Sequence, residues 1–296
     1  LGMSLLNEGV GANRPIALLD NTPLRQLLHD CIRFDQIEQS INNGDLEAVA
    51  VTSTGYTSGH SVSFFQAKEG VNGWHRHRRI GTRTELSLDH LMASAAIPTI
   101  FPAVKLNREY FGDGALRQTA PISPALHLGA NRLFIIGVSS NRNPESWYRR
   151  KVVKHSPSMA QIMGHLFSSA FIDALEGDVE HMERINELLA LIPAQVRAQH
   201  NIPLRPVESM IISPSEAVDS IAGRKIRYLS PSLRFAMRTV GATAKGGGAT
   251  AASYLLFAPS FCGTMIDLGY KDTLWERAAI EQFFHLYACQ RDDAYA

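Results

Sequence analysis

Asp113 stands in the run Tyr110-Phe111-Gly112-Asp113-Gly114-Ala115, an acidic side chain between two glycines at the end of an apolar segment. A carboxylate is the kind of group that takes or gives a proton during bond exchange. Asp-Gly is also the strongest short signal for a hairpin turn. The residues beyond Gly114, Arg117-Gln118-Thr119-Ala120-Pro121, lead into a helix and offer no alternating strand to return along the first. The context is therefore strand, loop, helix, and it puts Asp113 at a strand end, where open α/β sheets present their reactive groups.

Other reactive types have plainer explanations. Gly55-Tyr56-Thr57-Ser58-Gly59 carries serine one place later than a nucleophile elbow requires and joins two expected strands, so Ser58 reads as a turn residue. Ser94 lies in Ala93-Ser94-Ala95-Ala96 before Pro98, where close helix packing accounts for the small residues, and this segment is expected to wall the site. Trp74-His75-Arg76-His77-Arg78-Arg79 mixes two histidines with arginines. An H-x-H pair can bind metal from a strand, yet no Cys, Asp or Glu lies close by to complete a set. The stretch reads as a solvated basic patch suited to anionic lipid, and no metal is expected. Gly246-Gly247-Gly248 has the amides of an anion cradle but neither a preceding strand nor a G-K-[ST] ending, so a flexible connection is expected.

The elements around Asp113 follow from pattern. Thr22-Pro23 starts a helix running to about Asp30, with Leu24, Leu27 and Leu28 at helical spacing. Leu46 to Ser53 and His60 to Ala67 read as paired strands. Ser87 opens a short helix through Ala96, stopped by Pro98 and Pro102. Val104 to Leu106 and Glu109 to Phe111 make a hairpin about Asn107-Arg108. A helix from Pro121 to Leu128, capped by Gly129, and a strand from Arg132 to Val138 form a crossover of the kind found in parallel sheets. Beyond Ser140 the pattern is mostly helical: Ala160 to Leu175, Asp178 to Leu191, Pro231 to Val240, Ala249 to Phe257 and Thr273 to Tyr287, with one strand at Val207 to Ile212.

The 296 residues suffice for a full core, and a hydrophobic fraction of 45% with 19% charged describes a globular chain. Lys plus Arg number 29 against 28 for Asp plus Glu, so no global field points to nucleic acid. Cys31, Cys262 and Cys289 are far apart and suggest neither a disulfide framework nor a zinc knuckle. The apolar runs are far short of the roughly 20 residues of a spanning helix. The opening Leu1-Gly2-Met3-Ser4 lacks the pattern of a signal peptide and an initial methionine, which suggests truncation and leaves the compartment open between cytoplasm and membrane surface.

The order Ala93-Ser94-Ala95-Ala96-Ile97-Pro98-x-x-Phe101-Pro102, then Tyr110 to Gly114, then Pro121, then Leu128-Gly129-Ala130 resembles the second half of patatin-like phospholipases. Upstream, Asp20-Asn21-Thr22-Pro23-Leu24 and Thr52 to Gly59 are similar to segments of bacterial members; downstream, so are Ser253 to Phe257 and Ile266 to Tyr270.

The resemblance implies an α/β fold of three layers, a mostly parallel sheet flanked by helices, truncated at its N-terminus and followed by a helical C-terminal region. Residues 1–140 would hold the Asp-Gly part of the catalytic domain, and 141–296 the helical region packed on it. It implies a Ser-Asp dyad with Asp113 as base, Gly112, Gly114, Ser94 and Pro98 as neighbours, no cofactor, and a lipid or acyl-ester substrate met by peripheral contact with a membrane. Since a carboxylate is a weak base at its ordinary pKa of about 3.9, low dielectric and oxyanion stabilisation must assist it. The family's G-x-S-x-G serine and glycine-rich oxyanion loop lie toward its N-terminus, and this chain has neither, so both are expected upstream and the chain alone is expected to be inactive. Without them a sheet edge is expected to be exposed, favouring poor solubility or a covering dimer. The competing readings are a non-catalytic lipid-binding or interaction protein on the same scaffold, and a thioesterase or polyester hydrolase using the same dyad.

Overall fold

A computed structural model describes residues 17, 19–138, 162, 173–202, 204–229, 231, 234 and 252–285. The chain divides into two compact units, Leu1–Asn131 with Ala174–Leu188, and Arg132–Asp173 with Leu189–Ala296.

The first unit begins with α1 (Thr22–Cys31) and α2 (Asp35–Asn43), the latter ended by Gly44 at φ 83°. Strands β1 (Ala48–Gly55) and β2 (Ser61–Ala67) follow, then β3 (Trp74–Arg76), β4 (Arg79–Arg83) and helix α3 (Leu88–Ser94). Strands β5 (Val104–Leu106) and β6 (Glu109–Asp113) lead through a 3-10 turn, Gly114–Arg117, to α4 (Ser123–His127). Most of α5 (Asp173–Ala190) also belongs to this unit. Ser87 caps α3: its hydroxyl and amide both meet His90 Nδ1, at 2.9 and 3.1 Å.

The six strands lie in the order β3-β4-β2-β1-β6-β5. The α/β expectation holds, but the sheet is mixed rather than mostly parallel: only β2 and β4 run parallel, and the other pairings are antiparallel. The connections explain this. Short turns join β1 to β2, β3 to β4 and β5 to β6, and a short turn can only reverse the chain, whereas parallel partners need a crossover. Asn107 and Arg78, at φ 54° and 55°, supply the left-handed residues of two of these turns. The basic stretch at Trp74 to Arg79 is thus a hairpin whose tip is exposed, while Trp74 turns inward to stack between Phe65 and His127, at centroid distances of 5.4 and 4.7 Å.

Register sorts the side chains of β1 onto two faces. Val49 and Val51 join Val62, Phe64 and Phe111 in a core closed by Leu86 and Ala93, with Phe34 and Ile37 from the α2 region packed on it. Ala48, Ala50 and Thr52 point the other way, toward α4, and line a cavity of about 760 Å³ with Pro121, Ala125 and Leu128. The N-terminal half of β1 pairs with β2 alone among the described residues, because β6 meets β1 only at Ser53 to Gly55.

The second unit holds β7 (Arg132–Ile136) and β8 (Glu208–Ile212), a parallel pair forming a sheet of its own, with Arg132 and Glu208 in an ion pair at 3.0 Å. The strand expected to extend the main sheet is therefore a partner of β8, whose apolar Met210, Ile211 and Ile212 match it residue for residue. Among the described residues it also has helices α6 (Ala194–Gln199), α7 (Val218–Lys225), α8 (Pro259–Trp275) and α9 (Arg277–Phe283), with a 3-10 turn at Ile226–Tyr228. Ile221, Ala222, Leu229, Leu256 and Phe261 form its core. The helices expected at 160–175 and 231–240 lie largely outside the described residues, as does the start of that at 249–257 and all of Gly246-Gly247-Gly248. Among the described residues no helix is long and apolar enough to cross a membrane.

Candidate active site

Asp113 closes β6, and what fixes it is backbone. Its N–H donates to the carbonyl of Ala96 at 2.9 Å, just beyond α3, and its Oδ1 accepts the N–H of Ala115 at 2.9 Å, capping the 3-10 turn. The turn requires Gly114: a Cβ there would lie 2.1 Å from the Thr52 carbonyl oxygen. The Gly114 carbonyl in turn accepts the buried Thr54 hydroxyl at 3.4 Å. Gly112 is less tightly held, since a Cβ there would lie 2.5 Å from the Tyr56 hydroxyl, the end of a side chain that can swing away. Both glycines serve close approach rather than unusual backbone angles.

Burial raises the Asp113 pKa to about 6, against a smaller lowering by the Ala115 hydrogen bond. The desolvated carboxylate is costly, so the neutral form persists to higher pH. The Tyr56 phenol is pushed up as well, first by burial and then by the charge of Asp113. The site thus contains a carboxylate able to hold and release a proton near neutrality, with a phenol beside it.

Of the other residues singled out from the sequence, Ser94 ends α3 and is half-buried, and Pro98 follows in the segment that carries Ala96. The recorded hydrogen bonds of Asp113 run to Ala96 and Ala115, not to Ser94. Ser58 sits in the β1–β2 turn, whose amides at Thr57 and Ser58 donate to the Glu109 carboxylate at 2.6 and 2.5 Å. Its own Oγ accepts the His60 N–H at 3.2 Å. Among the described residues no three His, Cys, Asp or Glu side chains gather as a metal site.

Two neighbours of Asp113 escape sequence reasoning. Tyr56 belongs to a turn that reads as plain connection. Ser53, directly opposite Asp113 on β1, is completely buried. The only local signal is the run of hydroxyls Thr52-Ser53-Thr54 inside an otherwise apolar strand. Its burial removes Ser53 from consideration as a nucleophile, because no ester carbonyl can reach it.

The approximately 760 Å³ cavity does not coincide with this carboxylate. Its β1 side chains, Ala48, Ala50 and Thr52, alternate with Val51 and Ser53, so the cavity opens on the face of β1 opposite the one that meets Asp113.

Residues 3–126, less than half of the 296, match the family model described as patatin-like phospholipase. The match takes in Asp113 and ends within α4. No curated protein and no solved structure matches the chain.

Proposed function

We propose, from the match of residues 3–126 to the patatin-like phospholipase family, that Asp113 is the general base of a lipid acyl hydrolase working through a Ser-Asp dyad. At family level the match supports action on lipid esters. The observation that carries the finer reading is the carboxylate itself, half-buried at a strand end with a pKa raised by desolvation to about 6. A base is most effective when its pKa lies near the working pH, and an ordinary aspartate is too weak.

In the reaction, ionised Asp113 takes the proton of a serine hydroxyl as the serine oxygen bonds to the acyl carbonyl carbon. The tetrahedral intermediate collapses, the ester C–O bond breaks, and Asp113 returns the proton to the departing alcohol. Water then attacks the acyl-serine by the same proton path, releasing the fatty acid. No histidine takes part. Since the 296 residues contain no G-x-S-x-G, the reading assigns the nucleophile and oxyanion donors to residues outside them.

Hydrolysis of p-nitrophenyl butyrate and labelling by a fluorophosphonate test this. The 296-residue chain alone is expected to show neither. In a polypeptide that includes the nucleophile, Asp113→Ala is expected to lower kcat by about 10³-fold with little change in KM. The rate of the parent should rise with pH to a plateau above about 6, as the base ionises. Turnover that survives Asp113→Ala overturns the base assignment. A labelled serine within these residues overturns the placement of the nucleophile.

A further inference from the structure

Ser53 is 0% exposed, and its Oγ has no hydrogen-bond partner. Buried hydroxyls normally have one. Strand register identifies the candidates. On the face of the sheet that Ser53 occupies, its neighbours are Val51 on β1, Val62 directly opposite on β2 with Phe64 and His60 on its diagonals, and Asp113 directly opposite on β6 with Phe111 on its diagonal. Two of these have polar side chains: His60, whose Nδ1 is also buried without a partner but which lies on a diagonal, and Asp113, which lies directly opposite.

The phase of the pairing brings the two together. The Gly55 N–H donates to the His60 carbonyl at 3.0 Å, so odd-numbered residues of β1 turn their backbone groups toward β2. The Tyr56 N–H donates to the Tyr110 carbonyl at 3.0 Å, so even-numbered residues turn theirs toward β6. Ser53 and Asp113 therefore form a non-hydrogen-bonded pair. That is the narrower of the two antiparallel spacings, with Cα atoms about 4.5 Å apart and side chains close. The Asp113 N–H, pointing away to Ala96, agrees. Among the described residues the carboxylate accepts one hydrogen bond, at Oδ1 from Ala115, which leaves Oδ2 unserved.

We infer that Ser53 is a positioning residue for Asp113, its hydroxyl turning about χ1 to donate to the ionised carboxylate from across the strand pair. When Asp113 is protonated the direction reverses, and the carboxyl O–H donates to Ser53 Oγ. One buried hydroxyl can serve both states because it is donor and acceptor at once. The link holds the carboxyl in one orientation through a proton-transfer cycle and favours the charged form against its burial. Its catalytic meaning rests on the proposed role of Asp113; the link itself does not.

The charged and titratable groups on elements packed around Asp113 are Tyr56 in the β1–β2 turn, His60 at the start of β2, Arg117 in the 3-10 turn, Asp89 and His90 on α3, Lys105 on β5 and Glu109 on β6 itself. Tyr56 is the one whose pKa is pushed up by burial and then by the Asp113 charge, away from the Asp113 range.

The test is a carbon-13 NMR titration of the Asp113 carboxyl in the full chain, assigned by its loss in Asp113→Asn. Ser53→Ala is expected to raise the midpoint by about one pH unit, a tenfold change in proton affinity. Ser53→Thr, which keeps the hydroxyl, should return it toward the parent value. Ser63→Ala is the control: that buried hydroxyl lies on the other face, 3.0 Å from the Thr52 hydroxyl. An unmoved midpoint in Ser53→Ala, or an equal movement in Ser63→Ala, overturns the inference. Should Ser53→Ala fail to fold, the Ser53 Cβ resonance of the parent chain decides: it must titrate with the Asp113 midpoint, and a flat profile overturns the link. None of these readings requires turnover, so the titration stands or falls apart from the esterase assay.

Discussion

The face of the six-stranded sheet that rests on α3 carries Ser53 and Asp113 among closely packed apolar side chains, whereas the face toward α4 opens into a cavity of about 760 Å³ lined by Ala48, Ala50 and Thr52. The open space and the proposed base thus lie on opposite faces of one strand. The difference teaches that the largest space and the most perturbed carboxyl need not coincide. An aspartate becomes a useful base where water is excluded, and water is excluded where packing is dense rather than where space is left. The small side chains of the cavity face leave room, and the acid that burial pushes up on the α4 side, Asp178, is the one that accepts the Ile122 N–H at 3.0 Å.

Substitutions at the junction of the two faces are expected to have the largest effect. Gly114→Ala would drive a methyl group against the Thr52 carbonyl, a backbone atom that cannot rotate away. A loss of about 3 kcal/mol or more in chemical denaturation is expected. A loss below about 1 kcal/mol would mean that the turn gives way, and with it the rigid link between Asp113 and β1.

Asp113→Asn comes next, and its sign depends on pH. The folded pKa of about 6 lies above the ordinary aspartate value of 3.8, so between these values the native chain holds a proton that the unfolded chain has released. Stability is then full below about pH 4, falls as pH rises through about 6, and is level above. Removing the charge should therefore stabilise the chain by roughly 2 kcal/mol at pH 8, with the gain gone by pH 4. A pH-independent difference would show that the carboxylate is not desolvated, erasing the contrast between the faces.

The smallest effect is expected on the cavity face. Ala50→Val adds two carbons toward open space and should change stability by no more than about 1 kcal/mol in either direction. It should leave the Asp113 titration unchanged. A moved titration midpoint would show that the faces are coupled through β1.

Much of the first unit was legible in the sequence. The apolar runs of β1 and β2, the capping serine of α3, the Asn107-Arg108 turn and the Thr22-Pro23 helix start are local signals, and each produced its element. The rest was hidden for identifiable reasons. Helix α2 is mostly polar, with Ile37 and Ile41 as its apolar contacts, so its pattern is faint. Strands β3 and β4 are charged because they form the border of the sheet, and the side chains of His75 and Arg76 remain exposed.

The sequence by itself singled out Asp113 as the candidate base and put it at the end of a strand, because glycine, aspartate and the following proline are local instructions. Only the tertiary structure decided that β1 lies beside that strand, that Ser53 is the residue opposite and Tyr56 the phenol nearby, and that the carboxyl is buried enough to titrate at about 6. The reason is range: strand pairing joins residues far apart along the chain, and desolvation is the sum of everything that packs around a group, so neither is written at any single position.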